Sequence, residues 1–105
     1  MSELIPNVSV QKEANIYFEG KVISTSIYFS DGSKKTLGVM LKGEYEFGTE
    51  QKEIMEIMSG KLDVLLPNKS EWISIKSGDI FEVPKNSSFK LKIYEITNYC
   101  CEYVN

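Results

Sequence analysis

From Ile16 onward the chain is a succession of short apolar runs in which hydrophobic and polar positions alternate. Leu62, Val64 and Leu66 interleave with Lys61 and Asp63, and Phe89, Leu91 and Ile93 interleave with Lys90 and Lys92. Leu37, Val39 and Leu41 are read as one inward-facing set that continues in register to Tyr45 and Phe47. A period of two buries one face of a sheet and wets the other, and the β-branched and aromatic residues suit such a surface. Turn chemistry separates the runs: Asp31-Gly32, Ser59-Gly60, Pro67-Asn68, Ser77-Gly78-Asp79 and Pro84-Lys85-Asn86. That cadence predicts an all-β sandwich or barrel. No internal repeat is visible. Residues 1–14 are polar and aperiodic and are expected to form an N-terminal tail, leaving 15–105 as a single domain.

One stretch dissents. Glu50 to Met58 consists of good helix formers, and Gly60 has the position of a helix-terminating glycine. Propensity alone favours two helical turns, yet Glu53, Met55 and Ile57 also alternate as a strand would. Periodicity does not decide so short a run.

With 105 residues there is room for one core, and 42% hydrophobic content is enough to build it. A net charge of −3, with lysines scattered among carboxylates, argues against nucleic acid as a partner. No run approaches membrane-spanning length, and the N-terminal residues lack the pattern of a signal peptide, so a cytoplasmic location is expected. Cys100 and Cys101 are adjacent and are expected as two thiols on opposite faces of one strand.

The chain contains no histidine, which sharpens what the motifs imply. Glu53 followed by six residues and Gly60 resembles the end of the first cupin motif, whose two histidine positions then fall on Phe47 and Thr49. Gly78, Pro84, Asn86 and Phe89 resemble the second motif, with Asn86 in place of a glycine and Phe89 in place of the last histidine. Asparagine tolerates the left-handed backbone that such a glycine serves. A catalytic metal needs about three converging N, O or S ligands, and Glu53 alone does not supply them, so no metal is expected. Nucleophilic triads that depend on histidine are excluded.

A narrower resemblance spans Asn15 to the C-terminus. Tyr17 to Val22, Gly38 to Phe47, Met58 to Gly60, Leu66-Pro67, Glu71-Trp72, Phe81 to Pro84 and Tyr99, Cys101 and Tyr103 are similar to the pyrimidine/purine nucleoside phosphorylase family of cupins. The resemblance implies a single cupin-type β-barrel of jelly-roll form. It implies a homodimer that cleaves purine and pyrimidine nucleosides with inorganic phosphate as co-substrate and no cofactor. It also makes the dissenting stretch the strand that carries Glu53.

On that basis Glu53 is the catalytic candidate, accepting hydrogen bonds from ribose hydroxyls and stabilising positive charge on the sugar. Phe47, Phe89 and Tyr45 are candidate walls for the base, since stacking reads no hydrogen-bond pattern; the alternative for each is ordinary core. Thr49, Ser88 and Lys21 are candidate phosphate donors, with the backbone N–H groups of Asn86–Ser88 as another possibility. Tyr99 and Tyr103 share a face with Cys101 and close either the cavity or a dimer interface. The competing reading is a non-catalytic cupin with a ligand-binding or structural role. A carbohydrate isomerase is a remote third, because it would want a histidine base.

Overall fold

In the computed structural model, which describes residues 3–105, strands dominate and the described residues contain no α-helix. The order is β1 (Ser9–Val10), β2 (Asn15–Tyr17), a 3₁₀ segment (Phe18–Gly20), β3 (Val22–Tyr28), β4 (Lys34–Met40), β5 (Gly43–Gly48), β6 (Lys52–Leu65), β7 (Ile73–Lys76), β8 (Ile80–Val83) and β9 (Ser88–Val104). All pairings are antiparallel and join the nine strands into one sheet. Its folding back on itself follows from two long strands. β9 pairs β5 with its first half and β4 with its second, while β6 runs along its other edge for nearly its whole length. On its far side β6 pairs first with β8 and then with β7. This is the expected all-β cupin-type jelly roll, wrapped without a hydrogen-bonded seam between the two ends of its strand order.

Glu50 to Met58 is not helical: Lys52 onward is β6, against local propensity. The tertiary gain outweighs that propensity, because Met55 and Ile57, and beyond them Leu62 and Val64, reach the core as alternating pairs on an extended strand. Ser59-Gly60 is correspondingly not a turn between strands. It is a bulge inside β6, where the register against β9 shifts and Gly60 takes φ +109°. A Cβ there would stand 2.7 Å from the Thr97 Cα, so only glycine fits.

The register expected for β4 is also reversed. Thr36, Gly38 and Met40 face inward, whereas Val39 and Leu41 are 38% and 41% exposed. Leu41 and Lys42 separate β4 from β5, and this two-residue link changes the inward parity from even to odd before Tyr45. Gly38 pairs with Tyr99 on that inner face, where the Tyr99 ring occupies the space a side chain would need.

Other expectations hold. Leu62, Val64, Phe89, Leu91 and Ile93 are core residues. Cys100 and Cys101 are buried free thiols on opposite faces of β9. Asn86, at the second motif's glycine position, adopts φ +53°. Of the stretch expected as a tail, residues 1 and 2 lie outside the described residues, and Ser9–Val10 pair with Tyr28 and Ile27 of β3. No helix among the described residues is long and apolar enough to cross a membrane.

Candidate functional site

The interior is polar on one side and apolar on the other, and the strand registers explain the division. Ser24, Ser26, Thr36 and Gly38 face inward from β3 and β4. Met55, Ile57, Phe81 and Val83 face inward from β6 and β8. Between them β9 contributes Tyr99, Cys101 and Tyr103, and the sheet registers put Tyr103 directly opposite Glu53. A cavity of about 150 Å³ lies where these surfaces meet. Glu53, Tyr99, Cys101 and Tyr103 form its polar wall. Phe47, Phe89, Leu91, Met40 and Met55 form the apolar wall, and Tyr17, Ser24 and Gly48 complete the lining.

Glu53 is the one ionisable carboxylate in that lining. Partial burial raises its pKa above the ordinary value of 4.5, and the Cys101 thiol opposes the rise by donating to Oε1 over 3.5 Å. Burial, with the charge of Glu53 added, drives the Cys101 thiol up. Burial likewise raises the Tyr99 and Tyr103 phenols, so all three groups remain protonated donors at neutral pH. The Tyr103 hydroxyl lies 3.2 Å from Thr36 Oγ1. A polar chain thus runs from β4 through β9 to the carboxylate on β6.

The aromatic wall has an exposed margin. Phe47 stacks at 6.0 Å on Phe89, and Tyr17 and Phe18 meet Phe47 edge-on at 6.0 and 5.3 Å. Tyr17 and Phe18 keep 44% and 42% of their surface in solvent. Phe18, Glu19 and Gly20 all have positive φ, which is costly for a residue as bulky as phenylalanine. This strained turn holds two aromatic rings at the edge of the cavity's aromatic wall.

The candidates from the sequence fall into separate places. Glu53, Phe47 and Phe89 come together at the cavity. Tyr45 is buried, donates to the Leu41 carbonyl at 2.7 Å, and packs behind Phe18. Thr49 Oγ1 donates to the Pro84 carbonyl at 2.7 Å and accepts from Ser87 N–H at 3.0 Å, fastening the β5–β6 link to the β8–β9 turn. That bond also occupies an N–H of the proposed Asn86–Ser88 anion nest. Ser88 opens onto a different cleft of about 320 Å³, between the Pro67–Lys69 and Asn86–Lys90 segments. That cleft is larger, but it holds no buried carboxylate or phenol, whereas the smaller cavity holds Glu53, Tyr99 and Tyr103. Lys21 is exposed beyond the 3₁₀ turn. Tyr17 and Ser24 line the cavity without having been assigned to it, because alternation gives a residue's face but not which strands lie beside it; Tyr99 and Tyr103, expected at either the cavity or a dimer interface, are in the cavity lining.

Among the described residues, no three His, Cys, Asp or Glu side chains converge as a metal site would require. The arrangement offers hydrogen-bond donors and one acceptor carboxylate to a polar ring, and an aromatic surface to a flat one.

A family model for pyrimidine/purine nucleoside phosphorylase matches residues 12–103. A pyrimidine/purine nucleoside phosphorylase of Chlorobium chlorochromatii is 60% identical, covering 93% of this chain and 94% of its own. One from Geotalea uraniireducens is 53% identical over the full length of both. A crystal structure of a protein of unknown function from Acinetobacter sp. ADP1 superposes with TM-score 0.93 at 39% identity, covering 96% of this chain and 98% of that one. An RmlC-like cupin from Shewanella frigidimarina shares the fold, with TM-score 0.70 at 16% identity over 89% of this chain and 83% of that one.

Proposed function

The chain belongs to the pyrimidine/purine nucleoside phosphorylase family, and from that premise we propose that it cleaves purine and pyrimidine nucleosides with inorganic phosphate, without a metal. The products are the free base and the pentose 1-phosphate. The glycosidic C–N bond breaks with its electron pair going to the base. A phosphate oxygen forms the new bond to the anomeric carbon, and a proton from phosphate or solvent completes the base.

The observation that carries this reading is a partly buried carboxylate in a small cavity with one polar and one aromatic wall. Ligand cavities that enclose a whole drug-sized molecule have volumes of about 300 Å³ or more, so about 150 Å³ suits the pentose with the base at the rim. Glu53 accepts hydrogen bonds from the pentose hydroxyls and stabilises the cationic sugar as the base departs. Phe47 and Tyr17 offer ring surface to the base. A base held by ring contact outside the polar pocket is not sorted by its hydrogen-bond pattern, which suits acceptance of both base classes.

The homodimer implied by the family belongs to the same proposal. Ile16, Ile23 and Val39 form one row across β2, β3 and β4 on the outer face and are 65%, 41% and 38% exposed. That row is the surface on which a second copy would close. Ile23→Lys is expected to give a monomer by light scattering, and a dimer that survives the substitution would move the interface elsewhere.

The decisive assay uses chelator-treated protein with uridine, adenosine or inosine, with and without phosphate. Release of base and pentose 1-phosphate that needs phosphate and withstands chelation supports the reading. Absence of release from every nucleoside would leave a non-catalytic cupin.

A further inference from the structure

We infer that Lys34 is the cation that holds the phosphate oxyanion at this cavity, with the hydroxyls of Tyr103 and Thr36 beside it; the inference rests on the phosphorolytic reading above. A dianionic co-substrate cannot approach a cavity whose sole charge is the Glu53 carboxylate unless a positive group offsets the repulsion. The one lysine singled out from the sequence, Lys21, is exposed beyond the 3₁₀ turn and is not in the cavity lining.

The sheet registers bring Lys34 into line with the catalytic carboxylate. Tyr28 pairs with Lys34, Lys35 pairs with Glu102, and Tyr103 pairs with Glu53. One step beyond Lys35 and Glu102 the same register sets Lys34 opposite Tyr103. Lys34, Tyr103 and Glu53 therefore form a lateral row on the inner face of β4, β9 and β6. At an interstrand spacing of about 4.8 Å, the Lys34 and Glu53 backbones are about 10 Å apart along that row. Tyr103 stands between them and, with Glu53, lines the cavity, so Lys34 flanks the lining from the β4 side.

The side chain follows the backbone. Lys34 Nζ lies 5.2 Å from the centroid of the Tyr103 ring, and Tyr103 lines the cavity. Among the described residues two other lysines sit over aromatic rings, Lys35 on Phe29 and Lys92 on Trp72, and neither ring belongs to the cavity. Lys34 is partly buried and shares its face of β4 with buried Thr36. The one ion pair among the described residues is Lys52–Glu82, which leaves the Lys34 ammonium uncommitted. Thr36 Oγ1 and the Tyr103 hydroxyl stand 3.2 Å apart, so one donates to the other and the second O–H is left for a ligand. Ammonium and hydroxyl donors together are the recognition chemistry of a phosphate oxyanion.

The test compares Lys34→Gln, Lys34→Arg and the outward-facing control Lys35→Gln. Steady-state rates give the half-saturating phosphate concentration, and calorimetry without phosphate gives the nucleoside affinity. Lys34→Gln is expected to raise half-saturating phosphate about tenfold or more while nucleoside affinity changes less than about twofold. Lys34→Arg should recover most of the loss and Lys35→Gln should match the wild type. An unchanged phosphate dependence, or equal weakening of phosphate and nucleoside, overturns the assignment. Inorganic phosphate binding is also followed directly by ³¹P line broadening. Phosphate bound by the wild type and not by Lys34→Gln sustains the Lys34 site even if no nucleoside is cleaved; binding retained by Lys34→Gln refutes it.

Discussion

The thiol of Cys101 donates to the carboxylate of Glu53, Sγ to Oε1 at 3.5 Å, across 48 positions of sequence. The contact exists because β6 and β9 pair with Glu53 beside Tyr103 and Met55 beside Cys101, which turns all four side chains to the inner face. The thiol, itself raised by burial and by the carboxylate's charge, cannot act as a nucleophile near neutrality. It is a fixed donor that holds one oxygen of Glu53. Removing it by Cys101→Ala withdraws the contact that lowers the Glu53 pKa. The acid limb of the pH profile of kcat/KM should then move to higher pH, with stability reduced by about 1 kcal/mol. Cys101→Ser retains a donor and should keep the limb nearer its original position. An unmoved limb in Cys101→Ala would show that the thiol only fills space.

Glu53→Gln separates activity from stability. Loss of the carboxylate should lower kcat by about 10² or more while the fold persists. Burial raises the Glu53 pKa in the folded chain above 4.5, so folding favours the protonated form. The stabilisation is complete below about pH 4.5 and is lost as pH rises through the raised value. At pH 8 the glutamine variant should therefore melt above the wild type, and the gap should close toward pH 4. A lower midpoint for the variant at pH 8 contradicts the assigned environment.

Two glycines should respond differently to alanine. At Gly60 the new Cβ would meet the Thr97 backbone at 2.7 Å with φ at +109°, and neither backbone can yield. Gly60→Ala should cost about 3 kcal/mol in denaturant unfolding. At Gly38 the obstacle is the Tyr99 ring at 2.5 Å, a side chain rather than backbone, with the cavity it lines on its other side. Gly38→Ala should displace that ring into the cavity and weaken nucleoside binding more than it weakens the fold. Equal stability losses with unchanged binding would count against the placement of Tyr99.

Thr49 occupies a former ligand position of the cupin motif, yet its hydroxyl joins Pro84 and Ser87 rather than the cavity lining. Thr49→Val strands a buried carbonyl and an N–H, at a cost of about 2–3 kcal/mol. The concentration of phosphate at half-saturation should stay where it was. A large rise in that concentration with stability intact would make Thr49 a phosphate ligand instead.

Periodicity identified the second half of β6 (Leu62, Val64) and the first half of β9 (Phe89, Leu91, Ile93) as alternating surfaces but left Glu50 to Met58 undecided, and the motif spacing set Glu53, Phe47 and Phe89 together as site candidates before any strand was paired. Burying one face is a local requirement, readable along a single strand. Ser59-Gly60 shows where that reading stops, because a turn and a bulge use the same residues and differ only in whether the partner strand continues. β4 shows it again: Leu37, Val39 and Leu41 look like the core set, and only the register against β3 and β9 puts Thr36, Gly38 and Met40 inside instead.

The sequence by itself determined the all-β class and the absence of histidine ligands, and it singled out Glu53 as the candidate carboxylate. Those follow from residue type and spacing. The tertiary structure decided which hydroxyls face Glu53, that Thr49 serves as a fastening, and that Lys34 rather than Lys21 lies in line with the carboxylate. Such neighbours are set by register between strands far apart in the chain, and register is fixed only when the whole sheet closes around its core.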